Sequence, residues 1–153
     1  MEHDANAPTE TARRLIIEEL YTEAMVLADE ARELFDQRGP ANPFDDETKI
    51  ALSIEGLRTT TRMMNMLAWL LNRRAFLDGE LNERQVRESG RLPLERPRLP
   101  GMFEKLPPMI RSLIRDTERL HDRIGRIDSE WRFGERQSEV AEMQSRLHSA
   151  FAA

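Results

Sequence analysis

The chain has 153 residues, 33% of them charged and 39% hydrophobic, with a formal net charge of −5 and no cysteine. That is the length of one ordinary domain with a single core, and it excludes disulfides, thiolate metal sites and thiol redox chemistry. A high charged fraction beside a low apolar one is the balance of long amphipathic helices with wide solvated faces.

The charge is unevenly spread. Residues 1–56 carry 5 basic and 14 acidic side chains, residues 57–81 carry 4 and 2, residues 82–115 carry 8 and 4, and residues 116–153 carry 6 and 8. An acidic first third beside a mildly basic middle argues against nucleic-acid binding, which wants a clear basic excess. It permits electrostatic steering of protein partners. No apolar run approaches the length of a membrane span. Met1 to Thr11 lacks the apolar centre of a signal peptide, and a cytoplasmic location fits a chain without cysteine.

Residues 1–10, polar and containing Pro8, read as a disordered arm. The first helix is predicted from about Thr11 to Gln37. Ile17, Ala24 and Ala31 form one heptad row and Leu20, Leu27 and Leu34 the next, widened by Tyr21, Ala28 and Phe35. Gly39-Pro40 stops it, and Gly39 to Phe44 reads as a turn. A second helix is predicted from Asp45 or Asp46, either of which suits a cap, to about Asp78, with Gly79 ending it. Its stripe is read as Ile50, Leu57, Met64 and Leu71, thickened by Ile54, Leu67 and Leu70.

Asn82 followed by Gln85 three residues later has the form of a capping box and predicts a short helix. Five prolines and two glycines between residues 89 and 108 forbid regular helix or central strand. The same stretch holds Leu92, Leu94, Leu99, Met102, Phe103 and Leu106, too many apolar side chains for a free linker, so it is expected to lie against the helices. The third long helix starts at Pro107 or Pro108, a favoured first-turn position, and runs to about Trp131. Ile110, Thr117, Ile124 and Trp131 form one row, with Leu113, Leu120 and Ile127 beside it. The tail after Phe133-Gly134 carries a weaker stripe of Val140, Met143, Leu147 and Phe151.

These elements predict an all-α fold: an antiparallel three-helix bundle over residues 11–134, a proline-rich connection between helices two and three, and a mobile or helical tail over residues 135–153. The run Met63 to Leu71, interrupted only by Asn65, covers an arc of roughly 260° at about 100° per residue, more than two neighbouring helices hide. Either the proline-rich loop covers the surplus or a second copy does. Met63, Met66, Leu67, Trp69 and Leu70 are the candidate dimer interface. Arg58, Arg62, Arg73 and Arg74 are candidate docking residues for an acidic partner; the plainer reading gives Arg58 and Arg62 to ion pairs with the first helix and Arg73-Arg74 to the helix dipole.

No phosphate loop, His-Glu-x-x-His, Gly-x-Ser-x-Gly or zinc spacing occurs. Glu118-Arg-Leu-His121 is one copy of the Glu-x-x-His unit that di-iron bundles use twice. With one copy only, and Glu55 the sole acid in mid-helix two, no metal or other cofactor is expected, and His121 reads as a solvated or edge residue. No catalytic residue is assigned. The ending Phe151-Ala152-Ala153 resembles small apolar tags read by the ClpX unfoldase, although an unremarkable frayed end is the plainer reading.

Residues 58–81, RTTTRMMNMLAWLLNRRAFLDGEL, resemble the central segment of the RcdA family, named for regulation of CtrA degradation and long catalogued as a domain of unknown function. The matching features are the threonine pair after Arg58, Arg62-Met63-Met64, Ala68-Trp69-Leu70-Leu71, the arginine that follows, and the Gly79-Glu80 turn. The resemblance implies a homodimeric three-helix bundle from an alphaproteobacterium. It also implies a non-enzymatic adaptor that delivers CtrA-like cell-cycle substrates to the ClpXP protease with CpdR-like and PopA-like partners. A helical scaffold of the same fold with another protein partner is the alternative.

Overall fold

The computed structural model describes residues 9–36 and 43–152. Most of the expected N-terminal arm, the Gly39–Phe44 turn as far as residue 42, and the last residue of the Phe-Ala-Ala ending lie outside the described residues. The elements are α1 (Glu10–Phe35), α2 (Asp46–Leu77), the short α3 (Glu83–Glu88), a 3₁₀ turn at Phe103–Lys105, and α4 (Pro108–Phe151). The chain is all-helical, with no strand among the described residues.

Each boundary has a local cause. Thr9 caps α1 by accepting from the Ala12 N–H, and Asp45 caps α2 by accepting from the Thr48 N–H at 2.8 Å. The side-chain oxygen satisfies one of the amides that the first turn leaves without a partner. At the end of α2 the chain reverses through Gly79 at φ 77°, and the Glu80 N–H returns to the Ala75 carbonyl. Only glycine takes that backbone cheaply. The capping box of Asn82 and Gln85 is formed at the start of α3. Pro108 occupies the first turn of α4, where its missing N–H costs nothing.

The packing follows the predicted stripes of α1 and α4. Ile17, Leu20, Ala24, Leu27 and Ala31 of α1 are buried, as are Ile110, Leu113, Leu120, Ile124 and Trp131 of α4. Each large aliphatic side chain among them contributes about 1.5–3 kcal/mol on burial. The start of α1 meets the end of α2, where Arg14 donates to the Leu77 carbonyl and pairs with Asp78. The end of α1 lies by the first half of α2, where Phe35 sits over Gly56. Phe103 and Leu106, with Ile110 and Ile114 of α4, pack on Ala51 and Leu52 of α2 and close that end.

Two expectations are corrected. α4 is one helix of 44 residues and does not break at Phe133-Gly134; what stops near there is burial, since Trp131 is its last buried residue. On α2, the predicted core row Ile50, Leu57, Met64 and Leu71 faces outward, with Leu57 68% and Met64 65% exposed. The buried face of α2 instead carries Glu55, Thr59, Arg62, Met66, Trp69 and Arg73. Those positions also alternate four and three apart, so they form a second heptad row. At about 100° per residue it lies roughly opposite Met64.

Candidate functional site

Arg62 of the buried row of α2, with Arg58 at its edge, holds the proline-rich segment. An extended run containing Pro93, Pro97 and Pro100 cannot pair its own carbonyls as a helix does, and arginines supply donors to them. Arg58 donates to the Pro97 carbonyl at 3.0 Å and to the Arg96 carbonyl at 2.7 Å. Arg62, almost wholly buried, forms a two-point bond with Glu95 at 2.6 and 2.7 Å, donates to the Thr117 hydroxyl at 2.9 Å and lies 3.6 Å from Glu118. Such charge-assisted forks are short and about twice as strong as neutral hydrogen bonds.

α4 supplies the other fastenings. His121 Nε2 is 3.0 Å from the Pro93 carbonyl; a carbonyl only accepts, so that nitrogen carries the proton. Asp128 accepts from the Leu92 N–H at 3.1 Å and from Arg132 at 2.8 Å, and Arg132 also holds the Gly90 carbonyl. Glu118 takes Arg98, whose guanidinium lies 3.8 Å from the centre of the Phe103 ring. The Glu118 hydrogen bond raises the Arg98 pKa further above its ordinary range, outweighing the opposing effect of burial. The inward contacts of Leu92, Glu95 and Arg98 recur every third residue, the period of a polyproline helix.

The far end of the polar row is an aromatic and cationic cluster. Trp69 and Trp131 lie 6.0 Å apart, with Arg73 over both rings and Arg13 over Trp131. Arg73 donates to Glu135 at 2.8 Å and lies 3.6 Å from Asp128. Near the other end Glu55 is fully buried, its nearest ion partner Arg58 Nε at 3.9 Å, and neither of its oxygens has a hydrogen-bond partner.

The candidate residues therefore divide differently from the expectation. Met63, Met66, Trp69 and Leu70 are buried in the core of one chain and Leu67 is half-buried against it, so this set is not a free interface. The apolar surplus emerges on the opposite side of α2, at Ile50, Leu57, Met64, Ala68 and Leu71. Along the middle of the helix the exposed positions beside it include the neutral Ser53, Thr60 and Thr61, while Asp46, Glu47 and Lys49 surround Ile50. The four candidate docking arginines are all engaged. Arg58 and Arg62 hold the loop rather than α1; Arg73 is buried; Arg74 forks onto Glu18 of α1 at 2.7 Å and stacks on Tyr21. His121 is buried, not solvated. Glu118 and His121 serve the loop, and no cluster of three metal-ligating side chains occurs among the described residues.

Glu95 and Asp128 belong to this network and escaped sequence reasoning, and Thr117 was legible only as a position in the core row of α4. The available signal was the proline loop itself, which requires donors from whatever it covers. Between α2 and the fastened loop lies a groove of about 310 Å³, lined by Leu57, Arg58, Thr61, Arg62, Asn65 and residues 93–96. A model of the family described as protein of unknown function, DUF1465, matches residues 9–151. The chain belongs to that family. No curated protein and no solved structure matches the chain. Within this DUF1465 chain, the pinned loop and the outward row of α2 make up one continuous side, joined at Leu57.

Proposed function

We propose that this DUF1465 protein is an RcdA-type adaptor: a cytoplasmic, non-enzymatic, antiparallel three-helix bundle that works as a homodimer and delivers CtrA-like substrates to ClpXP with CpdR-like and PopA-like partners. The observation that carries the reading is the outward row of α2. In a chain one third charged, Ile50, Leu57, Met64 and Leu71 form an exposed apolar line, flanked around Leu57 by the hydroxyl side chains of Ser53, Thr60 and Thr61. A surface of that kind is made for contact with protein. Methionine suits it, because its flexible thioether adapts to a partner.

Two further points support it. The RcdA-like segment, residues 58–81, supplies Met64, Ala68 and Leu71 of the outward face and the two arginines, Arg58 and Arg62, that hold the loop. The buried ionisable side chains Arg62, Arg73, His121 and Asp128 are engaged in fastening structure. An adaptor needs only rigid, separate surfaces, because it acts by raising the local concentration of a substrate at the protease.

The test is reconstituted proteolysis: ClpXP, a CtrA-like substrate, and CpdR-like and PopA-like proteins from the same organism, with and without this chain. Adding the chain is expected to raise the initial degradation rate by about tenfold or more, the scale of a tethering effect. An unchanged rate with all partners present overturns the reading and leaves a scaffold for other proteins.

A further inference from the structure

The groove beside α2 has a chemical character of its own. Its floor is neutralised, since the charge of Arg62 is met by Glu95 and Glu118. The arginines of α3 and the loop are not all spent, and of them Arg96 lines the groove. Arg98 is paired with Glu118 and Arg87 with Glu139, while Arg91 and Arg96 have no acidic partner among the described residues. Between these two cations Leu94 is 96% exposed, on a backbone fastened on both sides at Pro93 and Pro97.

A leucine held out in water by a rigid loop gains nothing for folding. Leu57 faces it across the groove, also exposed. The backbone N–H groups of Leu94, Glu95 and Arg96 have no acceptor among the described residues. Two apolar walls, the Arg96 guanidinium lining the groove and the Arg91 guanidinium further back on the same loop share one requirement: an extended chain with one apolar side chain and carboxylates around it.

We propose that the groove between α2 and the fastened loop docks an extended acidic segment of a partner protein. One apolar side chain of that segment seats between Leu57 and Leu94, and its carboxylates meet Arg91 and Arg96. The proposal rests on the adaptor reading and supplies its partner chemistry. The loop is already ordered by its arginines, so binding costs little of the ordering entropy that weakens mobile sites. The attraction is between exposed charges, so it weakens as salt screens them.

Fluorescence polarisation of labelled peptides of roughly twelve residues tests it, that being about the length of an extended docking segment. The probes are one leucine among aspartates and glutamates, the same peptide with lysines for the acids, and the acidic peptide with serine for leucine. The all-acid leucine peptide is expected to bind best and to weaken with added salt. The double variant Arg91→Glu/Arg96→Glu should weaken it by about tenfold or more and Leu94→Ser by about fivefold, for one lost charge cluster and one lost apolar anchor.

Both sites are exposed loop positions, and unchanged helicity and sedimentation of the variants show that fold and assembly persist. Equal binding of the lysine peptide, variants within about twofold of the parent, or no binding of the acidic peptide at about millimolar concentration overturns the proposal. A photo-crosslinker at position 94 that captures only a second copy of the chain overturns it in favour of self-association. Stimulated proteolysis without peptide binding removes the groove and keeps the adaptor; peptide binding without stimulation does the reverse.

Discussion

Arg62 shows how much of this molecule turns on single buried cations. Its side chain reaches three elements: it springs from α2, forks onto Glu95 of the loop and donates to Thr117 of α4. Arg62→Met fills a similar volume but leaves Glu95 and Glu118 without their shared cation. Losing one partner of a buried pair costs about 3–5 kcal/mol; Glu95 is 29% exposed, so solvent tempers this to about 2–3 kcal/mol. The loop should loosen with it, seen as faster tryptic cleavage after Arg91 and Arg98. Arg62→Lys should recover little of either, because an ammonium cannot reproduce the fork. Undiminished denaturant stability and an unchanged cleavage rate in Arg62→Met would show that the loop is held by its apolar contacts alone. This residue is also where sequence reading failed. Arg62, Glu55 and Arg73 share the buried face of α2, and a periodicity count that credits only apolar side chains chooses the opposite face. The stripes of α1 and the first half of α4 were legible because apolar residues dominate their buried faces.

At the scale of the element, α4 outgrows its support. Beyond Trp131 its side chains are largely exposed, including Val140, Met143, Leu147 and Phe151. The stretch from residue 132 to 151 is about 30 Å of helix held mainly by Arg73–Glu135 and Arg87–Glu139 near its start. Gly134 sits at the point where packing ends, and a Cβ added there meets nothing within 4 Å. Gly134→Ala should therefore gain about 0.5–1 kcal/mol of helix propensity without a steric cost. The gain belongs to the extension, so amide exchange of residues 135–151 should slow severalfold while that of Ile17 or Leu120 stays put. Faster exchange of the extension would mean that glycine serves a bend there. The glycine looked like a boundary in the sequence because helix propensity and packing both weaken near it, yet the intrahelical hydrogen bonds cross it unbroken.

For the whole molecule, the consequence of the two opposed rows on α2 is that the proposed dimer contact and the folded core fall on different sides of one helix, which makes them separable by mutation. Isologous pairing along the outward row would bury Ile50, Leu57, Met64 and Leu71 from both copies. Met64→Glu/Leu71→Glu places carboxylates on positions already in water, 65% and 46% exposed. The single chain should keep its helicity and melting temperature, while charge repulsion across the two-fold removes the dimer. Met66→Glu/Leu70→Glu, two positions from Met64 and one from Leu71, falls on side chains with no exposure at all, and burying two carboxylates there should prevent folding. Sedimentation velocity and circular dichroism on the two double variants therefore give opposite results if the outward row is the contact. A Met64→Glu/Leu71→Glu protein that still sediments as the parent dimer would move the interface elsewhere, with the extension of α4, the other exposed apolar stripe, as the next surface to charge.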